Sequence, residues 1–583
     1  MQTKKEDSLN LKDIQPTKKL LAVGALMLLF STILGSLYIV SVVIPERMDA
    51  DLVVPSLASL KNPTLYYWGQ DRLLSLIPLM LLPFRNIEWN LYFNTFFQAT
   101  FFCALVLLIL RSITSDLTHS AAFLIISLVL INYTIPAPQL FTFAKHAQPY
   151  VPSTAIVLAA YYINSEVTKS EAWEKQKLIC IFLSTTALLL NPLTLIFAIS
   201  LSLAQLSISS LCSNNTGCIN ISNSLKWAGI LLPSFLITVI SRHVYSQNYV
   251  IAVTNLGIKV SNLAPAMKIT IHRFIDSFNG NPLMLVIAGI GFLTCIYTFL
   301  SVTSALIFRA FLGNKRAIGS TFGDTEATRP YKVISCAAIL NLFTLIPVLS
   351  SEWYVLNIYD LRYNFPLYFA IIVGLCRIVS LAYYYLIVAL QVGAEISRRH
   401  SVRFIKPATL NLGLLSGVVA ILIGSFRPIS PNLLSYNEFS RVYPIYTRLS
   451  DNFHTSEDTF IGGNYWLSWP IKALGLRDGN DIGVITYRSR FDPVSRQRED
   501  LLDDRIKKGE EFSFVCLSEG PDTSDCRSFL KGKIHNLSSD PESWQLNVPI
   551  KPISFSIHGD TYATTIQYKI LQKAASNSAN IRD

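Results

Sequence analysis

Charged residues are scarce in this chain. Asp, Glu, Lys and Arg make up 15% of its 583 residues, while hydrophobic residues make up 51%. A soluble globular protein carries roughly a quarter of charged residues. This composition excludes an ordinary soluble globule and predicts an all-α polytopic membrane protein.

The chain also lacks the short motifs that commonly bind phosphate or zinc, and no internal repeat is visible. Seven of the nine cysteines lie among the apolar runs, at spacings that do not indicate a metal site. The net charge of +11 is carried largely by short loops between apolar runs, where Lys and Arg set orientation. The sequence therefore does not indicate nucleic acid as a partner.

Long apolar runs predict about eleven transmembrane helices. A run of thirty-three residues, 178–210, is too long for one helix, and we divide it at Asn191-Pro192 into a hairpin. The segment 73–84 is short and contains Pro78 and Pro83, which favours an interfacial or re-entrant piece. The predicted spans are 20–44, 91–110, 119–133, 151–163, the two halves of 178–210, 227–240, 282–307, 333–349, 365–390 and 408–424.

Three regions follow from this pattern. Residues 1–19 form a cytoplasmic tail, residues 20–426 a transmembrane catalytic domain with an extracytoplasmic loop at 45–90, and residues 427–583 an extracytoplasmic soluble domain. The last region has short β-like runs between turn signals, namely DIGVITY, EFSFVCL, ISFSI and YATTIQYKI, which predict a small α/β or α+β domain. Cys516 and Cys526 are close enough in sequence for a disulfide if this region faces an oxidising compartment.

The loop after the first span carries two aspartates, Asp49 and Asp51, at the mouth of a membrane helix. One interpretation is a solvated loop. The other is a general base, because a sugar hydroxyl is a poor nucleophile until a carboxylate removes its proton. A transferase that takes a sugar from a lipid phosphate also needs cations beside that phosphate, where negative charge develops as the bond to the sugar breaks. Arg362, Lys145 and His146 are candidates on the same side.

A resemblance strengthens the second interpretation. The Asp pair after the first span, the segment YYWGQDR and the segment DLRYNFPLYF resemble the GT-C class of integral membrane glycosyltransferases, which use polyprenyl-phosphate sugars. That class includes protein O-mannosyltransferases, lipid A aminoarabinose transferases and rhizobial core galacturonosyltransferases. The resemblance implies Asp51 or Asp49 as the catalytic carboxylate, and Arg362 with Tyr363 as contacts of the lipid phosphate.

Other residues complete the predicted site. Arg377 lies within the tenth span, a third of the way in from the outer face, where an ionisable residue is either functional or paired between helices; we include it among the phosphate ligands. The residues near the first loop that we assign to the acceptor or sugar are Tyr67, Trp68, Asp71 and Arg72. If a divalent metal such as Mg or Mn takes part, Asp49 and Asp51 are its candidate ligands.

The predicted function is transfer of a sugar from a polyprenyl-phosphate donor to a glycan, lipid or protein acceptor outside the cytoplasm. The predicted location is the bacterial inner membrane, in contact with membrane lipids, with the active site on the periplasmic side. The alternatives are a transporter or flippase, a polysaccharide polymerase or ligase, and a membrane scaffold without catalysis.

Overall fold

A computed structural model describes most of the chain. The described residues are 18–46, 50–61, 63, 74–114, 116–136, 139–140, 149–166, 170–212, 217–248, 257–278, 280–312, 329–356, 360–398, 424, 437–452, 459–479, 482–486, 493–520, 522, 524–548, 552–557 and 560–572.

Helices account for most of the N-terminal two thirds. In chain order they are α1 Lys18–Glu46, α2 Ala50–Lys61, α3 Leu76–Met80, α4 Ile87–Arg111, α5 Leu117–Thr134, α6 Tyr150–Glu166, α7 Ser170–Leu190, α8 Thr194–Cys212, α9 Gly217–Asn248, α10 Leu263–Asp276, α11 Pro282–Leu312, α12 Arg329–Asn341, α13 Leu345–Leu349, α14 Glu352–Leu356 and α15 Phe365–Arg398.

Seven of the described helices are long and apolar enough to cross a membrane. The other described segments predicted as spans are also helical, but they are shorter or begin with charged residues, as α7 does with SEAWEK. The predicted span 408–424 lies outside the described residues except for Gly424. The chain is therefore a mostly helical, polytopic integral membrane protein, as its composition predicts.

The predicted hairpin break at Asn191-Pro192 separates α7 from α8. Pro192 has no amide hydrogen, so it cannot continue the hydrogen bonding of α7. The Asn191 side-chain oxygen accepts a hydrogen bond from the Leu193 amide at 3.1 Å, and the Thr194 hydroxyl donates to the Ser153 hydroxyl at 2.8 Å. These contacts fix the turn against α6.

The helices pack into one bundle in which α4 has a central position. It contacts α1, α5, α6 and α15, and it also carries the first-loop helix α2. The segment predicted to be interfacial contains α3, which has only five residues and ends just before Pro83. Helices α2 and α3 therefore lie beside α4 without being long enough to cross a membrane.

The C-terminal region contains a mixed sheet with helices. Its elements are α16 Asn437–Asn452, β1 Thr459–Gly463, α17 Tyr465–Arg477, β2 Val484–Thr486, α18 Pro493–Lys508, β3 Phe512–Glu519, α19 Ser524–Leu537, β4 Trp544–Asn547, β5 Ile553–Ile557 and β6 Asp560–Gln572. The strand order is β2-β1-β3-β6-β4, with β5 also paired to β6. Strands β1, β2 and β3 are parallel, whereas β6 is antiparallel to β3.

The sequence runs named as strands correspond to β2, β3, β5 and β6, but β1 and β4 were not foreseen. Strand β1 ends in two glycines, which usually weaken a strand. Gly463 is required there, because a Cβ atom would lie 2.3 Å from the Leu517 carbonyl oxygen. Cys516 on β3 and Cys526 on α19 are bonded to each other, with Cα atoms 6.0 Å apart.

Helix α17 connects the sheet to the membrane domain. It follows β1 directly, is capped by the Asn464 side chain, and packs against α2 and α4. Trp469 is only 1% exposed, so this aromatic residue packs in the core and does not offer a surface for stacking sugars. The first-loop helix α2 is therefore enclosed between α4 and the C-terminal region.

Candidate active site

Asp51 lies in the first turn of α2, which spans Ala50–Lys61. A carboxylate is favourable there because the amino end of a helix carries a partial positive charge. Asp51 is only 7% exposed. The solvated-loop interpretation is therefore wrong for this residue, and its burial implies that a partner compensates its charge.

The partner is Arg362, which is 311 positions away in the sequence. One of its terminal nitrogens, Nη1, lies 3.4 Å from Asp51 Oδ2, and the two side chains are 14% and 10% exposed. The site thus contains a carboxylate and a guanidinium that the sequence analysis had assigned to one reaction. Both are largely removed from water, which strengthens their interaction.

A second carboxylate, Asp360, fixes the turn that carries Arg362. This 3-10 turn spans Leu361–Asn364, and the Asp360 side chain caps it by accepting a hydrogen bond from the Arg362 amide at 2.9 Å. The other Asp360 oxygen is 3.4 Å from Arg362 Nε. The guanidinium also lies 4.9 Å from the centre of the Tyr363 ring. Arg362 is therefore held on three sides.

Tyr354, on α14, supports the same turn from behind. Its hydroxyl lies 2.7 Å from the Thr270 hydroxyl of α10 and accepts a hydrogen bond from Asn364 Nδ2 at 3.1 Å. Its ring packs edge-on against Tyr363, with centroids 5.9 Å apart. Burial raises the pKa of Tyr354. The phenol therefore stays protonated and available for hydrogen bonding at neutral pH.

A row of amides on α4 supports the helix that carries Asp51. Asn94 Nδ2 donates to the Leu52 carbonyl at 2.9 Å, and Asn94 Oδ1 accepts a hydrogen bond from Gln98 at 2.7 Å. One turn earlier, Asn90 Nδ2 donates to the Ser59 hydroxyl at 3.0 Å. All three amide side chains are buried. They fasten α2, and with it Asp51, to a membrane-spanning helix.

The hydropathy of α4 predicts a membrane span but does not reveal this row. The signal was present as Asn90, Asn94 and Gln98, which recur at every fourth position and so share one helix face. Three amides on one face of a membrane helix need hydrogen-bond partners, since water is absent there.

Comparison with known proteins adds a structural likeness. No protein-family model and no curated protein matches the chain. Two solved structures of ArnT from Cupriavidus metallidurans are similar, one in the apo state and one bound to undecaprenyl phosphate. Both are 11% identical to this chain, with TM-scores of 0.47 for the apo structure and 0.44 for the bound one. The matched region is 94% of this chain in both cases, and 98% and 97% of the two ArnT chains. Because both TM-scores are below 0.5, we draw no functional conclusion from this likeness.

Arg377 does not join Asp51 and Arg362. It lies twelve residues beyond the start of α15, or about 18 Å along the helix axis. Its guanidinium carbon is 5.3 Å from the centre of the Tyr331 ring, near the start of α12. Its depth in the membrane, a third of the way in from the outer face, stays a prediction.

Several predicted site residues lie outside the described residues, so their placement adds nothing to the site. These are Asp49, the acceptor candidates Tyr67, Trp68, Asp71 and Arg72, and the phosphate candidates Lys145 and His146. Of the residues assigned to the reaction, Asp51, Arg362 and Tyr363 are the ones that the described part of the chain brings together.

The described residues around Asp51 do not fit a divalent metal. No group of three or more His, Cys, Asp or Glu side chains with metal-binding geometry occurs among the described residues. In addition, the Arg362 guanidinium 3.4 Å from Asp51 puts a fixed positive charge beside the oxygen that a cation would bind. The metal site predicted at Asp49 and Asp51 stays a prediction, because Asp49 lies outside the described residues.

Proposed function

We propose that the chain is a membrane glycosyltransferase that moves a sugar from a polyprenyl-phosphate donor to a hydroxyl group of a glycan, lipid or protein outside the cytoplasm. The observation that carries this proposal is the contact between Asp51 and Arg362. It joins a candidate base to a candidate phosphate ligand across 311 positions, inside a membrane protein.

Asp51 acts as the general base in this proposal. Its carboxylate accepts the proton of the acceptor hydroxyl as the acceptor oxygen forms a bond to the anomeric carbon of the sugar. The bond between that carbon and the phosphate oxygen breaks, and its electron pair stays on the phosphate. A phosphate leaves readily without protonation, so one carboxylate suffices, unlike the pair used in glycoside hydrolysis.

Arg362 binds the donor phosphate and stabilises the charge that develops on it. A guanidinium is suited to this role because its planar N–H groups can contact two phosphate oxygens at once. In the free protein the same N–H groups face Asp51 and Asp360. Binding of the donor would draw Arg362 partly away from Asp51, which leaves that carboxylate better able to accept a proton.

Asp51→Asn tests the proposal. Asparagine keeps the shape of the side chain but cannot accept the proton, and loss of a general base lowers the rate roughly a hundredfold to ten-thousandfold. The assay is transfer from a polyprenyl-phosphate sugar to its acceptor by purified protein in vesicles. Asp500→Asn, an equal change of charge at an exposed site, should leave the rate unchanged.

If Asp51→Asn retains the parent rate and Asp500→Asn does as well, Asp51 is not the base. A chain that binds the lipid-linked sugar without transferring it, and moves it across the vesicle membrane, would instead be a transporter.

A further inference from the structure

Helix α10, Leu263–Asp276, has one buried face and one exposed apolar stripe. Ala266 and Thr270 are buried against the turn that carries Arg362. Met267, Ile271 and Ile275 are each about half exposed and recur at every fourth position, so they form a continuous stripe. Apolar side chains in such a row indicate a surface that is not bathed by water.

Polar side chains border this stripe. Lys268, His272 and Asp276 follow Met267, Ile271 and Ile275 by one position, and all three are exposed. A helix with an apolar stripe and a polar margin that includes a lysine suits the headgroup region of a bilayer. Lys268 suits the phosphates of anionic lipids, whose surface potential attracts basic side chains.

The stripe is also continuous in sequence with a lipid-facing surface. Helix α11 begins six residues after α10 ends, and it exposes Leu283, Val286, Ile290 and Leu293 along one side of a predicted span. The exposed side chains of a membrane-spanning helix face acyl chains. A bilayer is therefore the occupant that covers both surfaces without a second protein.

We propose that α10 is a membrane-surface helix, with Met267, Ile271 and Ile275 inserted among lipid acyl chains and Lys268 at the lipid phosphates, and that it thereby fixes the height of the Arg362 turn relative to the bilayer. The link is short: Thr270 of α10 contacts the Tyr354 hydroxyl, which accepts a hydrogen bond from Asn364 of the Arg362 turn. Only this coupling rests on the proposed function; the membrane contact does not.

Spin labelling tests the membrane contact without an activity assay. Cys212 and Cys218, whose side chains lie outside the described part of the chain, are replaced by Ser. The free cysteines of the described part are buried, and Cys516 is bonded to Cys526. A label at Met267→Cys is then compared with one at Leu293→Cys, on a membrane span, and one at Leu501→Cys, on α18 of the C-terminal domain. The protein is reconstituted in vesicles of phosphatidylcholine and phosphatidylglycerol.

The expected result is that the Met267→Cys label collides with dissolved oxygen and is shielded from a nickel chelate, as at Leu293→Cys. Free access of the nickel chelate, as at Leu501→Cys, would place the stripe in water and overturn the proposal. Shielding from both reagents would mean that protein covers it, and would overturn the proposal equally.

Kinetics test the coupling. Ile271→Asp should raise KM for the lipid-linked donor and leave kcat unchanged, because a charge among acyl chains lifts the helix that carries Thr270. Ile271→Leu should restore the parent KM. An unchanged KM in Ile271→Asp would refute the coupling. If the parent protein transfers no sugar, the proposed function fails while the spin-label result stands.

Discussion

The guanidinium N–H groups of Arg362, which a phosphate would need as donors, lie beside two carboxylates. Asp51 and Asp360 each lie 3.4 Å from a guanidinium nitrogen, and the Tyr363 ring lies beside it. An arginine held between two carboxylates in a largely buried site is either structural or kept in place for an anion. The two roles can be distinguished by how far a lysine at this position replaces the arginine.

Arg362→Ala is expected to weaken use of the lipid-linked donor, and Arg362→Lys to restore part of it. Lysine supplies the positive charge but cannot reproduce contacts to two phosphate oxygens, nor keep Asp51 and Asp360 in place simultaneously. The measurement is KM for the donor and kcat in both variants. Equal donor affinity in Arg362→Ala and the parent would remove the phosphate role from this residue.

Asp51 and Arg362 could be predicted as a pair from the chemistry that each residue type supports and from their positions at helix ends. The residues that hold this pair in place could not be predicted. Tyr354, Thr270 and Asn364 are ordinary loop and helix residues in the sequence, and only the folded chain brings the Tyr354 hydroxyl within 3.1 Å of polar atoms of the other two. Unlike the row of amides on α4, these three residues leave no pattern along the chain.

Among the secondary-structure elements, the contact between α2 and α4 matters most for the site. Helix α2 is short and contains Pro55, which has no amide to donate to the carbonyl of Asp51. Its position therefore depends on side-chain contacts from α4, above all the hydrogen bond from Asn94 to the Leu52 carbonyl. Leu52 follows Asp51 directly.

Asn94→Ala is expected to lower kcat severalfold while the protein stays folded. A hydrogen bond between membrane helices contributes about 0.6 kcal/mol on average. Loss of the Asn94 bonds to Leu52, Ser56 and Gln98 is therefore too small to unfold a bundle of this size. Asp51 would nevertheless lose its fixed position. The measurement is kcat beside thermal stability in detergent.

Thr100→Val, on the same helix, is the matched control, because the Thr100 hydroxyl donates to the Phe96 carbonyl of its own helix. If both variants lower kcat to the same extent, or if Asn94→Ala loses activity only by unfolding, Asn94 has no positioning role.

Elements were predictable where the local signal was strong. The break at Asn191-Pro192 follows from the missing proline amide, and the long spans follow from uninterrupted apolar runs. Strand β1 was not predictable, because Gly462 and Gly463 argue against a strand. The close approach to Leu517 that makes Gly463 necessary depends on a partner strand more than fifty residues away.

Helix α17 links the C-terminal sheet to the membrane domain. It follows β1 in the chain and packs against α2, the helix that carries Asp51. Leu467, Trp469 and Leu474 of α17 belong to the same apolar core as Leu52 and Leu57 of α2. The stability of the sheet is therefore expected to influence the site at Asp51, although no residue of the sheet enters that site among the described residues.

Replacing Cys516 and Cys526 together by Ser is expected to destabilise the C-terminal domain. The disulfide closes a loop across a separation of ten residues, and a loop of about this size contributes roughly 2–3 kcal/mol by restricting the unfolded chain. The measurement is the urea concentration at which the domain becomes susceptible to protease in the full-length protein. A midpoint equal to that of the parent would show that the bond is not formed in solution.

The orientation of the molecule is the last prediction. If the amino terminus is cytoplasmic and α1 crosses the membrane once, α2 and the C-terminal domain packed on it lie outside, while the short connection between α4 and α5 lies in the cytoplasm.

A membrane-impermeant maleimide should label Leu501→Cys in intact cells, since this side chain is 48% exposed on α18. It should label Asp116→Cys, at the α4–α5 connection, only after the cells are broken. Basic residues support this orientation, because the segments 308–332 and 395–407 carry five and four Lys and Arg residues, which are retained on the cytoplasmic side. The opposite labelling pattern would place Asp51 and Arg362 in the cytoplasm, where an acceptor outside the cell could not reach them.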